Sequence, residues 1–156
     1  GFDGDVILVT QNVDDLHEKA GMDRVIHMHG ALNSALCAAC DHRWEAPLVM
    51  APDDVCPACS ALAARPDIVW FGEMPYDMDE IFGHLATTDL FISIGRSGNV
   101  YPAGGFVAEA RRFGARTIEF NLEPSAVRSD FDDLRIGPAT QTVPEWVAEV
   151  LNERGT

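Results

Sequence analysis

Apolar residues in this 156-residue chain cluster in short runs that are typical of strands buried in a parallel sheet. The runs lie at residues 6–9, 89–95 and 116–122, and segments with helical spacing of apolar residues lie at 79–87, 102–113 and 143–152. Strand and helix alternate from Asp79 onward, which predicts a parallel sheet with right-handed crossovers. The predicted fold class is α/β, with a doubly wound parallel sheet of Rossmann type.

Residues 31–66 interrupt this pattern with four cysteines, several prolines and no sustained periodicity. Cys37-x-x-Cys40 is followed after fifteen residues by Cys56-x-x-Cys59, the spacing of a structural zinc ribbon. The competing interpretation is two disulfides, which a cytoplasmic setting disfavours. We therefore predict an inserted zinc-binding module at 31–66, and a Rossmann-like domain made of residues 1–30 and 67–156.

Composition restricts the possible partners. The hydrophobic share of 47% and the charged share of 23% are those of a soluble globular protein. The net charge of −14, from 25 acidic and 11 basic residues, argues against a nucleic-acid surface. No apolar run is long enough to span a membrane and no N-terminal signal is visible, so we expect a cytoplasmic protein without membrane partners.

Polar side chains follow the first apolar run. Gln11, Asn12 and Asp14 are candidate ligand contacts, because open α/β sheets bind ligands at the carboxyl ends of their strands. Asn12 or Asp14 could instead cap a helix predicted at 14–20. His29 precedes Gly30, which allows close approach of backbone or ligand and makes His29 a candidate catalytic group. The alternative is a histidine held by hydrogen bonds in a partly buried loop.

Three later strand ends also contain candidate ligand-binding residues, but their sequence patterns are less specific. The glycine-flanked turn from Gly95 to Asn99 precedes a predicted helix and can cradle a phosphate, although turns use glycine anyway. Asn121 and Glu123 follow the third run and could bind ribose hydroxyls or simply form a turn. Residues 66–73 are β-prone up to Gly72, and a plain core strand would explain them equally well.

In chain order, these motifs resemble the second half of a sirtuin, most closely a bacterial one, over residues 5–151. The motifs are Gln11-Asn12-Val13-Asp14, His29-Gly30, the four cysteines, Val69-Trp70-Phe71-Gly72-Glu73, Gly95-x-Ser97 with Val100-x-Pro102, and Asn121-x-Glu123. The resemblance implies an NAD-dependent protein-lysine deacylase that releases nicotinamide and O-acyl-ADP-ribose, with zinc as a structural metal. Acylated lysine-containing proteins or peptides are the implied substrates.

The resemblance also implies a role for individual residues. His29 would be the general base. NAD would be bound by Gln11, Asn12, Asp14, Gly95, Arg96, Ser97, Asn121, Glu123 and the backbone near Ala139. The substrate peptide would be held as an added strand by Gly72, Glu73 and Val100, with Val69 and Phe71 as walls of the acyl-lysine tunnel.

The sequence departs from the family pattern in two respects. The first βα unit, with its Gly-Ala-Gly-x-Ser phosphate loop, is not among these residues, and Arg96 stands where the family has a small Thr or Ser. We therefore expect a fragment that alone binds NAD weakly and associates with its N-terminal segment or with another copy. The rival functions are a zinc-stabilised module that binds acyl-lysine peptides without turnover, and a redox ribbon protein.

Overall fold

The computed structural model describes residues 4–51, 53–95 and 102–153. These residues belong to two compact units, one formed by Gly4–Met78 and the other by the residues from Asp79 onward. The predicted site residues Arg96, Ser97 and Val100 lie outside the described residues. Within the described ranges, no helix has the length and apolar character needed to cross a membrane.

The first unit contains two small sheets. Strands β1 (Leu8–Thr10) and β2 (Val25–His27) pair in parallel and are joined by the short helix α1 (Leu16–Lys19). Strands β3 (Gly30–Cys37), β4 (Arg43–Glu45) and β5 (Ala64–Ile68) form an antiparallel sheet in the order β4-β3-β5. Pro66 lies in β5, which pairs only with β3, and an edge strand tolerates the missing amide hydrogen of proline.

The turn between β2 and β3 consists of Met28 and His29 and ends at Gly30. Met28 is buried, and its amide donates to the carbonyl of Thr10 at the end of β1. Gly30 has a φ of +78° and lies against the backbone of Asp67 in β5, where a Cβ atom would meet the Asp67 carbonyl oxygen. Glycine is therefore required for both the backbone conformation and the close packing.

The second unit has the order of elements expected of a parallel α/β sheet. Its elements are α2 (Met78–Leu85), β6 (Leu90–Ile94), α3 (Phe106–Arg112), β7 (Arg116–Asn121), β8 (Asp133–Ile136) and α4 (Ala139–Glu153), with short 3₁₀ helices at Ala103–Gly105 and Arg128–Asp130. The strands are parallel in the order β6-β7-β8. Helix α2 begins at Met78, the last residue of the first unit.

Strand β7 is the centre of this sheet and is buried on both faces. Phe120 contacts Trp146 of α4 edge to face, with ring centroids 5.7 Å apart. On the opposite face, Glu119 and Val107 of α3 line the same small cavity. Because helices cover both faces, the predicted doubly wound α/β class is confirmed.

Several predicted boundaries were wrong. The strand predicted through residues 66–73 ends at Ile68, and the closing helix predicted to start at Val143 starts at Ala139. The helix predicted at 14–20 is only Leu16–Lys19, and the first strand lies at Leu8–Thr10 instead of 6–9. Strands β2, β3, β4 and β8 were not predicted, because short strands with mixed polarity give no periodic signal.

Candidate functional site

The four cysteines form one cluster in the first unit. The Sγ atoms of Cys37 and Cys59 are 3.7 Å apart, those of Cys40 and Cys56 are 3.8 Å apart, and all four lie within 4.8 Å of one another. A tetrahedral zinc ion with Zn–S bonds of about 2.3 Å requires sulfur atoms about 3.8 Å apart. All four cysteines are free thiols, so the geometry matches the predicted zinc site and not the two disulfides.

Backbone conformation explains why the two Cys-x-x-Cys segments converge. Residues Asp41 and Ser60, each directly after the second cysteine of a pair, both have a φ near the left-handed helical region, at 56° and 60°. The amides of Ala39 and Ala58 point at the sulfur atoms of Cys37 and Cys56, each at 3.4 Å. The two segments are therefore matching turns that direct backbone N–H groups at thiolates.

The thiols differ in acidity. For Cys56, burial raises the pKa, but the amides of Cys59 and Ala58 and the neighbouring thiols outweigh it and lower the pKa to about 7. For Cys40, the amide of His42 lowers the pKa, but the neighbouring thiols and desolvation raise it to about 12. A divalent cation favours all four thiolates, so zinc binding releases protons and weakens as the pH falls.

Replacing Cys56 with serine should remove the metal and destabilise the module, because a structural zinc ion contributes folding free energy directly. We expect about one zinc per chain in the wild type and well under one in the variant, with a lower midpoint of thermal unfolding. Ala58→Ser is the matched control, because it adds a hydroxyl to an exposed position of the same Cys56–Cys59 turn. Metal analysis and calorimetry measure both effects, and a wild type purified without chelator that contains no zinc would contradict the assignment.

His29 is held in one orientation by the end of β1. Its Nδ1 atom lies 3.2 Å from the backbone oxygen of Gln11. A carbonyl oxygen only accepts hydrogen bonds, so in the neutral ring Nδ1 carries the hydrogen and Nε2 keeps its lone pair. The carbonyl of His29 accepts a bond from the amide of Val69 at 3.0 Å, which fixes the turn itself. His29 therefore presents Nε2 as a proton acceptor.

His27 has a different environment. Its Nδ1 is 3.3 Å from the backbone oxygen of Asn12, and its Nε2 is 2.7 Å from Glu18 Oε1. This hydrogen bond from His27 is the main reason why the pKa of Glu18 is lowered. Both ring nitrogens of His27 are engaged, so His27, the last residue of β2, is a histidine held by hydrogen bonds.

Gln11, Asn12 and Asp14 lie in the loop after β1, as predicted. The Asn12 side chain is exposed, and the backbone N–H of Asn12 donates to Thr10 Oγ1 at 3.0 Å. Asp14 Oδ1 accepts from the backbone amide of Leu16 at 3.1 Å, which forms an Asx turn just before α1, whereas the N-cap residue is Asp15 and makes no side-chain cap bond. Their predicted role in binding NAD remains a prediction.

The predicted substrate segment 69–73 is a tight turn after β5. The amide of Glu73 donates to the carbonyl of Trp70 at 3.0 Å, and Gly72 has a φ of +92°. Phe71 is fully exposed and Trp70 is about half exposed, whereas Val69 is half-buried. The turn thus presents aromatic side chains to solvent next to the His29 turn, to which Val69 is bonded.

The remaining described candidates lie at the carboxyl edge of the sheet in the second unit. Gly95 follows β6 and donates to the carbonyl of Phe120 at 2.8 Å, while Asn121 ends β7. Glu123 is exposed just beyond it, and Ala139 begins α4. The edge is therefore shared by Gly95, Asn121, Glu123 and Ala139, the position at which α/β sheets bind ligands.

The sequence did not single out Asp67, which joins four segments. Its Oδ2 accepts from Ser34 Oγ at 3.0 Å and from Arg43 Nε at 2.9 Å, and its Oδ1 accepts from Tyr76 Oη at 2.9 Å. Arg65, two residues earlier, was also missed. The sequence does contain a signal that could have identified Asp67. A charged residue inside a β-prone run is rarely buried unless it is paired.

Comparison with known proteins gives one consistent family. The sequence profile of the Sir2 family matches residues 3–102. The NAD-dependent protein deacylase of Caulobacter vibrioides is 56% identical over 95% of the chain, and that of Salmonella typhimurium is 51% identical over 93%. The chain spans 63% and 54% of the lengths of these two relatives.

Solved structures give the same fold. A Sir2 homologue in complex with NAD superposes with a TM-score of 0.86 at 33% identity, covering 95% of this chain and 59% of that one. A Sir2 protein bound to a myristoylated histone peptide superposes with a TM-score of 0.79 at 29% identity, covering 96% of this chain and 66% of that one.

Proposed function

This chain belongs to the Sir2 family, and we propose that the protein containing it removes acyl groups from protein lysines in an NAD-dependent reaction. The family predicted from the motifs is confirmed, and relatives that share about half of its residues are NAD-dependent protein deacylases. The products would be nicotinamide, the free lysine and O-acyl-ADP-ribose.

The orientation of His29 supports this proposal most strongly. A general base must have an unprotonated nitrogen that can reach the reacting group. The 3.2 Å contact between Nδ1 and the Gln11 carbonyl leaves the basic lone pair on Nε2, and the bond from Val69 to the His29 carbonyl restrains the turn. The imidazole is therefore suited to accept a proton from a ribose hydroxyl.

The other candidate residues would bind NAD and orient it. NAD, when bound, supplies the sugar that accepts the acyl group and the nicotinamide that leaves. Amide and carboxylate side chains at Gln11, Asn12 and Asp14 have the donors and acceptors that a carboxamide and ribose hydroxyls require. In the second unit, Asn121 and Glu123 offer the same chemistry at a strand end, where dinucleotides bind in α/β folds.

The exposed aromatic turn supports an acyl-lysine substrate. Phe71 and Trp70 offer apolar surface to an acyl chain and to the methylene groups of lysine, and Gly72 leaves the backbone open to an extended peptide. A Sir2 protein has been solved with a myristoylated histone peptide. The net charge of −14 would attract lysine-rich segments.

The proposal is tested by incubating the whole protein with NAD and peptides carrying acetyl or longer acyl groups on lysine. We expect nicotinamide release coupled to loss of the acyl mass, and neither reaction with unacylated peptide or without NAD. Peptide binding measured by calorimetry without nicotinamide release would favour the rival function, an acyl-lysine binding module. Absence of both would contradict any acyl-lysine function.

We also propose a cytoplasmic location. Four free thiols arranged for one metal ion suit a reducing compartment, where cysteines are not consumed as disulfides. Cell fractionation with antibodies against the native protein tests this.

A further inference from the structure

We propose that Arg65 is a positioning residue for the substrate turn, acting through the carboxylate of Glu73. The substrate turn is defined as Trp70, Phe71, Gly72 and Glu73. The inference rests on the proposed deacylase function for its effect on catalysis. Its geometric part, that Arg65 restrains the substrate turn, can be tested without any activity.

The substrate turn is closed on itself by two hydrogen bonds. The amide of Glu73 donates to the carbonyl of Trp70 at 3.0 Å, and the Glu73 carboxylate accepts from the amide of Trp70 at 2.9 Å. The second bond depends on where the Glu73 side chain points. Glu73 is exposed, so this side chain requires a further partner to stay in one rotamer.

Arg65 supplies that partner from a strand. Its Nη2 lies 3.1 Å from Glu73 Oε1 and 3.2 Å from Oε2, so one nitrogen contacts both carboxylate oxygens. The Arg65 side chain is only 25% exposed, and its backbone is paired with Leu36 in the β3–β5 ladder. The amide of Trp70, followed by Arg65, lowers the pKa of Glu73, because both donate hydrogen bonds to its carboxylate.

The restraint by Arg65 and Glu73 determines the position of Phe71, at the apex of the substrate turn. Phe71 is fully exposed, so little packing fixes its position, and the two hydrogen bonds of the turn are what orient it. A partly exposed ion pair contributes little to global stability. Loss of Arg65 should therefore disorder the apex of the turn while leaving the fold unchanged.

The kinetic test compares Arg65→Gln with Arg24→Gln in the whole protein. Within the described part of the chain, the Arg24 side chain forms an exposed ion pair with Asp5 at 3.7 Å, which makes it a matched control. We expect Arg65→Gln to raise KM for the acylated peptide by roughly fivefold, with kcat and KM for NAD unchanged. Arg65→Lys keeps the charge and should restore part of the loss. Equal KM values for wild type and Arg65→Gln would overturn the role of Arg65 in positioning the turn for substrate binding.

A second measurement needs no turnover. Chymotrypsin cleaves after exposed aromatic residues, and cleavage after Phe71 requires the turn to open. We expect Arg65→Gln to be cleaved there several times faster than wild type or Arg24→Gln, at an unchanged midpoint of thermal unfolding. An unchanged cleavage rate would overturn the geometric part. Faster cleavage in a protein without deacylase activity would contradict the proposed function and support the restraint by Arg65.

Discussion

Deacylation by the whole protein should fall by roughly 10²- to 10⁴-fold when His29 is replaced by alanine, which is the usual contribution of a positioned general base. The reason is the orientation of the imidazole, whose Nδ1 is committed to the Gln11 carbonyl and whose Nε2 is left basic. Steady-state nicotinamide release measures the loss. Circular dichroism and thermal unfolding should remain close to wild type, because the ring is only half-buried.

His27→Ala is the control for this experiment, because it removes an imidazole two residues away. His27 bonds to the backbone oxygen of Asn12 and to Glu18, so its loss should loosen the loop and reduce turnover only mildly. Near-normal turnover in His29→Ala would remove His29 from the mechanism. Equal losses in both variants would show that the turn matters as a structure and not as a source of a base.

Gly30→Ala should destabilise the first unit by about 3 kcal/mol or more, among the largest effects expected of one methyl group. The added Cβ would overlap the backbone oxygen of Asp67, and only displacement of β3 or β5 can relieve this overlap. The residue would also keep a φ of +78°, which costs a non-glycine residue about 1 kcal/mol. Urea unfolding followed by fluorescence measures the change.

Gly21→Ala separates these two costs. Gly21 has a φ of +89°, but a Cβ atom there would have no neighbour within 4 Å among the residues that the structure describes. We therefore expect Gly21→Ala to lose only the conformational part, about 1 kcal/mol. If Gly30→Ala were no less stable than Gly21→Ala, the close approach of β3 to β5 at this point would be wrong.

The features that were predicted best from the sequence are those that depend on residues close together in the chain. The spacing of Cys37, Cys40, Cys56 and Cys59 specifies four converging thiols, and the apolar runs of β6 and β7 specify buried parallel strands. Strand β8 escaped prediction because Asp133 and Arg135 break its apolar pattern. In the structure these two side chains pair with each other, and Arg135 also pairs with Glu149 of α4.

Helix α4 begins earlier than predicted. Its predicted start was Val143, after a loop predicted at Gly137-Pro138-Ala139-Thr140. The helix starts at Ala139, where the amides of Gln141 and Thr142 bond to the Pro138 carbonyl, and Pro144 lies inside it. Thr140 and Thr142 have weak helix propensity, and this turn is nevertheless helical because the continuing helix packs Trp146 on Phe120.

The contacts of Asp67 could not be predicted, because they depend on tertiary structure. Ser34, Arg43 and Tyr76 come from separate segments that meet only after β3 has paired with both β4 and β5. Pairing register is set by the whole sheet and not by the residues nearby in sequence. The same holds for the bond between Val69 and the His29 carbonyl, which joins the ends of two segments forty residues apart.

Strand β3 begins one residue after His29 and ends on Cys37, so a single piece of backbone connects the proton acceptor to the metal cluster. Its pairing with β5 is interrupted between Ala31 and Ala35, and the Asp67 carboxylate holds Ser34 inside that gap. At this point the β3–β5 pairing is therefore bridged by the side-chain bond between Ser34 and Asp67. We expect a chelator or thiol oxidant acting on the cysteines to slow turnover of the whole protein, because β3 leads from Cys37 to the residue directly after His29.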